Sequence, residues 1–344
     1  MPWIVVLPAL ILSIVWAIMF LRQLKGGLST TALDDKFTWG LYVQGFFYFS
    51  ALAGGILMFI SVNTLFHVKT LQPLLEVGAA VSFSCLVAAG LLLGSDLGKP
   101  FRGIMILTGK NFASPLTWDF YMISLCGILN FIFLAGLVPK SGAISAIWAV
   151  LCLAAALGFV MIHTLFFLSR VGAGFRSQPF LGLDTLAQSL WGGMALMTLI
   201  ALTSGVKPLY MGRILLILTV FTLVPLAGGY ISNLSNKRKG MNQKKVLALD
   251  VLILAVLLVN EILAPQSAFL LAVGSLLILF AVYFEKSHLM REYQIRPTLP
   301  LPYSRYDEIP DYSPTASEWV LAIGSLGVCV FLSSVIHYLR IVFI

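Results

Sequence analysis

Long apolar runs separated by short polar breaks recur along the whole chain, and few folds can accommodate that pattern. Runs long enough to cross a hydrocarbon core about 30 Å thick fall near residues 3–21, 39–62, 74–94, 116–138, 143–169, 183–204, 209–233, 246–264, 266–284 and 318–341. A chain that is 59% hydrophobic and 10% charged, with a mean hydropathy of +0.97, lacks the polar surface to cover a water-soluble globule. Helices satisfy their own backbone in lipid, so the fold class is an all-α polytopic membrane protein of about ten transmembrane helices. The first run, Trp3 to Leu21, has no basic segment before it and no small-residue cleavage site after it, and reads as a retained helix rather than a signal peptide. At Ala264-Pro265-Gln266 the break is so short that one kinked or re-entrant element is the alternative to two spans.

Basic residues are divided unevenly between the two sides. Numbering each break by the span it follows, the odd breaks hold 17 of the 22 Lys and Arg residues, and the even side has Lys69, Lys140, Lys207, Arg213 and Arg340. Positive charge is retained on the cytoplasmic side, so the odd breaks are expected to face the cytoplasm of a prokaryotic inner membrane, with both termini outward. The net charge of +8 is then loop charge that fixes orientation, and it does not point to nucleic acid. The run KRKGMNQKK (Lys237 to Lys245) reads as a stop-transfer anchor, or else as a surface for a partner or anionic lipid. The longest break, Glu285 to Ser317, contains PLPYSRYDEIPDYSP and is expected to form an extended strap and docking surface on the cytoplasmic face.

Spans two to five and six to nine are expected to form two four-helix bundles, over residues 39–182 and 183–284. Residues 1–38 would supply a peripheral first helix, and residues 285–344 the strap and last helix.

The polar residues within the spans gather toward one face of the membrane. Trp39 opens the second span, Asp96 closes the third, Asp119 opens the fourth, His163 lies about two turns before the end of the fifth, and Asp184 opens the sixth. Polar groups from several helices at one depth suit an amphipathic ligand. A quinone is such a ligand: its ring needs hydrogen bonds and proton exchange, and its isoprenoid tail needs lipid access. His163 is the leading catalytic candidate, because imidazole can bond a quinone oxygen and trade a proton near neutral pH. Its bland reading is a histidine satisfied by a neighbouring carbonyl or hydroxyl. Asp119 would relay the proton or orient the ring. Asp96 would pair with Arg102 or Lys99, although such carboxylates at helix ends are commonly solvated. Trp39 and Trp118 would flank the quinone ring or simply belong to the interfacial belt.

The remaining chemistry-bearing residues are sparse. Cys85, Cys126, Cys152 and Cys329 lie singly inside apolar runs and read as core residues, not as a disulfide framework or cluster ligands. The histidines are His67, His163, His288 and His337, and their placement does not suit a bis-histidine haem between helices. Neither haem nor metal is expected in this chain. Pairs such as Gly54-Gly55, Gly192-Gly193 and Gly228-Gly229 read as close-packing devices.

Three segments carry a resemblance: FTWGLYVQGFFYFSALAGG (Phe37 to Gly55), DLGKPFR (Asp96 to Arg102) and NFASPLTWD (Asn111 to Asp119), followed by the histidine-bearing MIHTLFFLSR (Met161 to Arg170). In this order and spacing the chain resembles the NrfD/polysulfide-reductase family of integral, quinone-reactive membrane subunits, over roughly the second to sixth spans. The resemblance implies a cofactor-free membrane subunit of a respiratory oxidoreductase complex that oxidises menaquinol or reduces quinone. It also implies electron exchange with a ferredoxin-like iron–sulfur subunit, often joined to a molybdopterin catalytic subunit. Some members carry a histidine early in the second span, where this chain has Tyr42, Gln44 and Phe46. That departure moves the weight onto His163, with Tyr42, Gln44 and Arg102 as further quinone-site residues. Several family complexes dock the iron–sulfur partner outside, whereas the charge asymmetry here places the DLGKPFR face inside. The rivals are a secondary transporter, against which no inverted repeat is legible, and a passive anchor for soluble redox subunits.

Overall fold

The computed structural model describes residues 3–33, 37–68, 71–109, 111–139, 141–169, 180–208, 210–235, 243–263, 267–295 and 312–343. Ten long helices account for nearly all of them: α1 (Trp3–Gly26), α2 (Leu41–Phe66), α3 (Leu75–Asp96), α5 (Pro115–Leu134), α6 (Ala143–Ser169), α7 (Leu181–Thr203), α8 (Met211–Ser235), α9 (Gln243–Ile262), α10 (Ala268–Ile295) and α11 (Ala316–Phe343). A short helix, α4 (Ile104–Thr108), lies in the polar break after α3. Among the described residues, nine helices are long and apolar enough to cross a membrane. The chain is thus an all-α, multi-pass membrane protein. The exception among the long helices, α9, carries Lys244, Lys245, Asp250 and Glu261 within 20 residues.

Local sequence sets several boundaries. Pro115 opens α5, where its missing N–H costs nothing. His67 ends α2 in the left-handed conformation, at φ 51°, and its N–H returns to the Asn63 carbonyl. A reciprocal cap starts α11: Thr315 N–H donates to Glu318 Oε2 at 2.8 Å, and Glu318 N–H donates to Thr315 Oγ1 at 3.3 Å. Glu318 is fully buried, and it also accepts from the Tyr312 hydroxyl at 2.7 Å and from the Ala32 N–H at 3.0 Å. The same Tyr312 oxygen accepts the N–H of Leu41, the first residue of α2, at 2.7 Å. Burial, reinforced by the bond to Glu318, holds the Tyr312 phenol protonated well above the usual tyrosine range.

Two rings of helices meet along α2. In the first, α2 packs on α3 and α6, and α5 closes the ring against both of those; in the second, α7, α8, α9 and α10 pack in sequence and α10 returns to α7. The α1–α11 pair lies outside and leans on α3 through α11. Lipid gives apolar side chains little reason to associate, so close backbone approach has to hold the rings together. A Cβ on Gly55 would run into the backbone of Ser189 and Gly193, and one on Gly193 would meet the Gly55 backbone at 2.6 Å. The α2–α7 seam is therefore a glycine-to-glycine contact. In the apolar window of α2, 83% of residues are buried, against 11% in that of α1.

Two expectations about the chain beyond residue 263 need correction. The segment starting at Glu285 does not begin a strap, because α10 continues to Ile295. Glu285 and Lys286 follow Ala281 and Val282 by one turn and precede Leu289 and Met290 by another, and all six are buried along one stripe of the helix. By sequence the polar pair reads as the end of a span, yet it faces the ring interior. Lys286 is 1% exposed, so it does not belong among the loop charges. Separate helices α9 and α10 flank the break at residues 264–266. That break, most of the Lys237–Lys245 run, strap residues 296–311 and the Arg102 side chain lie outside the described residues.

Candidate functional site

Asp119 stands in the second turn of α5 and His163 six residues before the end of α6. These helices are neighbours running in opposite directions, so the two side chains meet at the end of the molecule where α2 begins. His163 Nε2 and Asp119 Oδ1 are 3.2 Å apart, and each residue is 1% exposed. Their approach lacks hydrogen-bond alignment, and neither atom has a hydrogen-bond partner among the described residues. Buried polar atoms are nearly always paired, so this unsatisfied pair is the strongest mark of a ligand site in the first ring. Aromatic edges wall the imidazole: the Phe46, Phe47 and Phe159 rings lie 5.8, 4.9 and 4.8 Å from it, at interplanar angles of 71°, 84° and 63°. Low-dielectric walls of this kind strengthen whatever hydrogen bond or charge the pair makes.

Trp39 reaches this region through a second layer of rings. Its indole stacks on Phe166 at 5.0 Å and meets Phe167 edge-on at 6.0 Å, and both phenylalanines belong to the helix of His163. Gln294 of α10 clamps the Trp39 backbone, accepting its N–H at 2.8 Å and donating to its carbonyl at 3.1 Å.

The other sequence-derived candidates diverge around α2. Tyr42 donates to Gln23 of α1 at 2.8 Å, and Gln23 donates onward to the Ser95 carbonyl of α3 at 2.5 Å. Asp96 lies in that quarter, its Oδ1 buried without a hydrogen bond among the described residues. Gln44 turns to the second ring, accepting from Ser287 of α10 at 3.0 Å. Trp118 is 44% exposed and donates to the Phe112 carbonyl at 2.9 Å, as an interfacial tryptophan does. Asp184 lies in the second ring and takes a hydrogen bond from Gln188 at 3.0 Å. The structure thus joins His163 with Asp119 and sets Trp39 behind them. It directs Tyr42, Asp96, Gln44, Trp118 and Asp184 elsewhere.

Asp184 is part of a group that the sequence did not reveal. Gln188 Nε2 also donates to Glu285 Oε2 at 2.5 Å, which links α7 to α10. Lys286 is close enough for the charges of Asp184 and Glu285 to act on it, and Asp250 of α9 adjoins Glu285. All five residues are buried, Asp250 completely. The available signal was the charged pair at 285–286 continuing an apolar stripe at helical spacing.

Among the described residues, no group of three or more His, Cys, Asp or Glu side chains is arranged to hold a metal ion. The four cysteines are free and buried, with the Cys85 and Cys329 sulfurs 3.6 Å apart.

Comparison with known proteins places relatives beside this geometry. Over 202 residues the chain is 30% identical to a protein of Halobacterium salinarum described as a membrane subunit of dimethyl sulfoxide reductase, covering 52% of this chain and 46% of that one. It is 28% identical over 114 residues to a selenate reductase subunit of Mesobacillus selenatarsenatis, covering 33% of this chain and 27% of the relative. It is 28% identical over 103 residues to the integral membrane subunit of menaquinone reductase from Nitratidesulfovibrio vulgaris, covering 30% and 25%. The chain spans less than half the length of each of these relatives. No protein-family model matches it. The relatives bear out the resemblance to membrane subunits of reductase complexes.

Proposed function

From this kinship with reductase membrane subunits, we propose that the chain is the quinone-reactive membrane subunit of a respiratory oxidoreductase complex. It exchanges electrons between menaquinol or menaquinone in the bilayer and an iron–sulfur subunit docked at the membrane surface. The observation that carries this reading is the His163–Asp119 pair: a proton-exchanging ring and a carboxylate, closed off from water, walled by aromatic edges and short of hydrogen-bond partners. A quinone is the proton- and electron-carrying reactant, since quinol oxidation yields two electrons and two protons.

The His163 imidazole would hydrogen-bond a quinone oxygen and take up or return its proton through the ring nitrogen that Asp119 does not face. Asp119 holds the imidazole in place and balances its charge when it is protonated. The Phe46, Phe47 and Phe159 edges exclude water and offer flat apolar surface to a ring. Trp39, stacked behind Phe166, fixes the wall from the helix-end side. We place this face of the molecule, which carries most of the basic breaks, at the cytoplasmic side and the electron-transfer partner against it.

The test is quinol oxidation by the assembled complex. His163→Ala and Asp119→Asn are expected to lower the rate by about 10²–10⁴-fold while the complex still purifies intact. Unchanged rates in both variants would refute the site. A passive anchor predicts no quinone affinity, so saturable quenching of intrinsic fluorescence by a quinone analogue, reduced in amplitude in His163→Ala, separates the two readings. Substrate uptake by the isolated chain would instead support a transporter.

A further inference from the structure

The molecule has a second feature suited to an amphipathic ligand, at the opposite end from His163. A cavity of about 820 Å³ lies between α2, α3, α7, α10 and α11, within the size range of small-molecule sites. Its mouth is at the far end of α7, where Thr203 and Ser204 are exposed and His337 of α11 stands opposite. Its shaft is apolar, formed by residues such as Leu52, Val81, Ile200, Leu279 and Val330. On α11 the lining runs from Leu326 to His337, a shaft of roughly 16 Å at 1.5 Å per residue.

The inner end is polar again. Tyr48 lines it together with Cys85 and Cys329. Its ring is held edge-on by Tyr283 at 5.8 Å and by Phe49 at 5.4 Å, and its hydroxyl makes no hydrogen bond among the described residues. A phenol at the blind end of an apolar shaft in a membrane has no bulk water to bond, and leaving it unpaired is costly. Tyr48 is adjacent to Phe47, which faces His163, so neighbouring residues of α2 serve opposite sides of the helix.

We propose that this cavity binds a second quinone-class molecule, with its ring innermost against the Tyr48 hydroxyl and its isoprenoid tail running out toward Thr203 and His337. The phenol selects this occupant. A phospholipid acyl chain would present a terminal methyl to it and leave it unpaired, whereas a quinone presents a carbonyl oxygen. The shaft's length and apolar wall suit the first isoprenoid units, and the mouth opens where the tail can continue into lipid. The class of ligand follows the proposed function, but the site does not depend on the His163–Asp119 pair.

The experiment labels the purified complex with a photoreactive naphthoquinone bearing a short isoprenoid tail, maps the labelled peptides and counts molecules bound per chain. Two sites are expected, one labelling α2 and α11 around Tyr48 and Val330. Tyr48→Phe, which keeps the ring packing, is expected to weaken that site roughly tenfold. Ile200→Trp, which fills the shaft, is expected to abolish it, and both should leave labelling near His163 intact. His163→Ala should remove only the other site. The proposal is overturned if no label reaches the Tyr48 region, if phospholipid alone is recovered there, or if Ile200→Trp leaves the count at two. If His163→Ala changes nothing while Ile200→Trp removes all binding, the cavity stands and the His163 assignment falls.

Discussion

The two helix rings bury polarity in different ways. The first isolates one imidazole and one carboxylate behind three phenylalanines, their facing atoms 3.2 Å apart and without hydrogen-bond partners among the described residues. Among the described residues, the second brings Asp184 and Glu285 within range of Lys286, with Asp250 beside Glu285, and the Gln188 amide ties the group across α7 and α10. An isolated pair against flat apolar rings leaves hydrogen-bonding capacity for a guest. The second group also leaves atoms without hydrogen-bond partners among the described residues, Asp250 Oδ1 and Oδ2 and Glu285 Oε1 among them, but these belong to neighbouring acids that act on one another and on Lys286 in a medium that penalises every unpaired charge. Burial alone therefore does not mark a reactant site; the surroundings and the charge count do.

The strongest test of this contrast is kinetic. His163→Ala should lower quinol oxidation by about 10²–10⁴-fold, whereas Gln188→Leu, which cuts the amide link in the second ring, should leave affinity for a quinone analogue unchanged. If Gln188→Leu removes quinone binding, the two regions form one site. Stability should show the reverse order. Lys286→Met strips the cation from buried carboxylates and should cost about 3–5 kcal/mol; His163→Ala should cost about 1–3 kcal/mol, both read from thermal unfolding in detergent. Gly55→Val would push α2 away from α7, where only backbone faces it, at about 1–3 kcal/mol and with lowered activity as the rings separate. Tyr312→Phe keeps the ring stacked on Phe37 at 4.3 Å but takes the hydroxyl from the Leu41 N–H and from buried Glu318, and should cost about 1–3 kcal/mol with quinol oxidation unchanged, since neither polar region is altered.

Depth was legible in the sequence, and rotation was not. Hydropathy located all ten long helices, and the position of each polar residue along its span put His163, Asp119 and Asp184 at one level. Which way a side chain points around the helix axis depends on packing that no single span encodes. Asp184 went to the second ring because the Gly55–Gly193 contact fixes how α7 lies on α2. Tyr42 and Gln44, only two residues apart, turned to α1 and to α10. The extension of α10 was obscured because Glu285 and Lys286 resemble the polar end of a span, and only inward-facing partners on α7 and α9 make them tolerable.

The near-complete enclosure of α2 has a consequence for how a chain of this kind can drift over time. One face packs toward α1 and α3, another toward His163, a third toward α10 and a fourth backbone-to-backbone on α7. Substitutions on the lipid-facing side of α1 need only remain oily, since lipid accepts almost any apolar shape. A substitution on α2 has to fit a specific neighbour at nearly every position. Diverged copies should therefore keep the Leu41–Phe66 segment most nearly intact and spend their variation on the Trp3–Gly26 helix, so that α2 becomes the stretch by which distant copies can still be aligned.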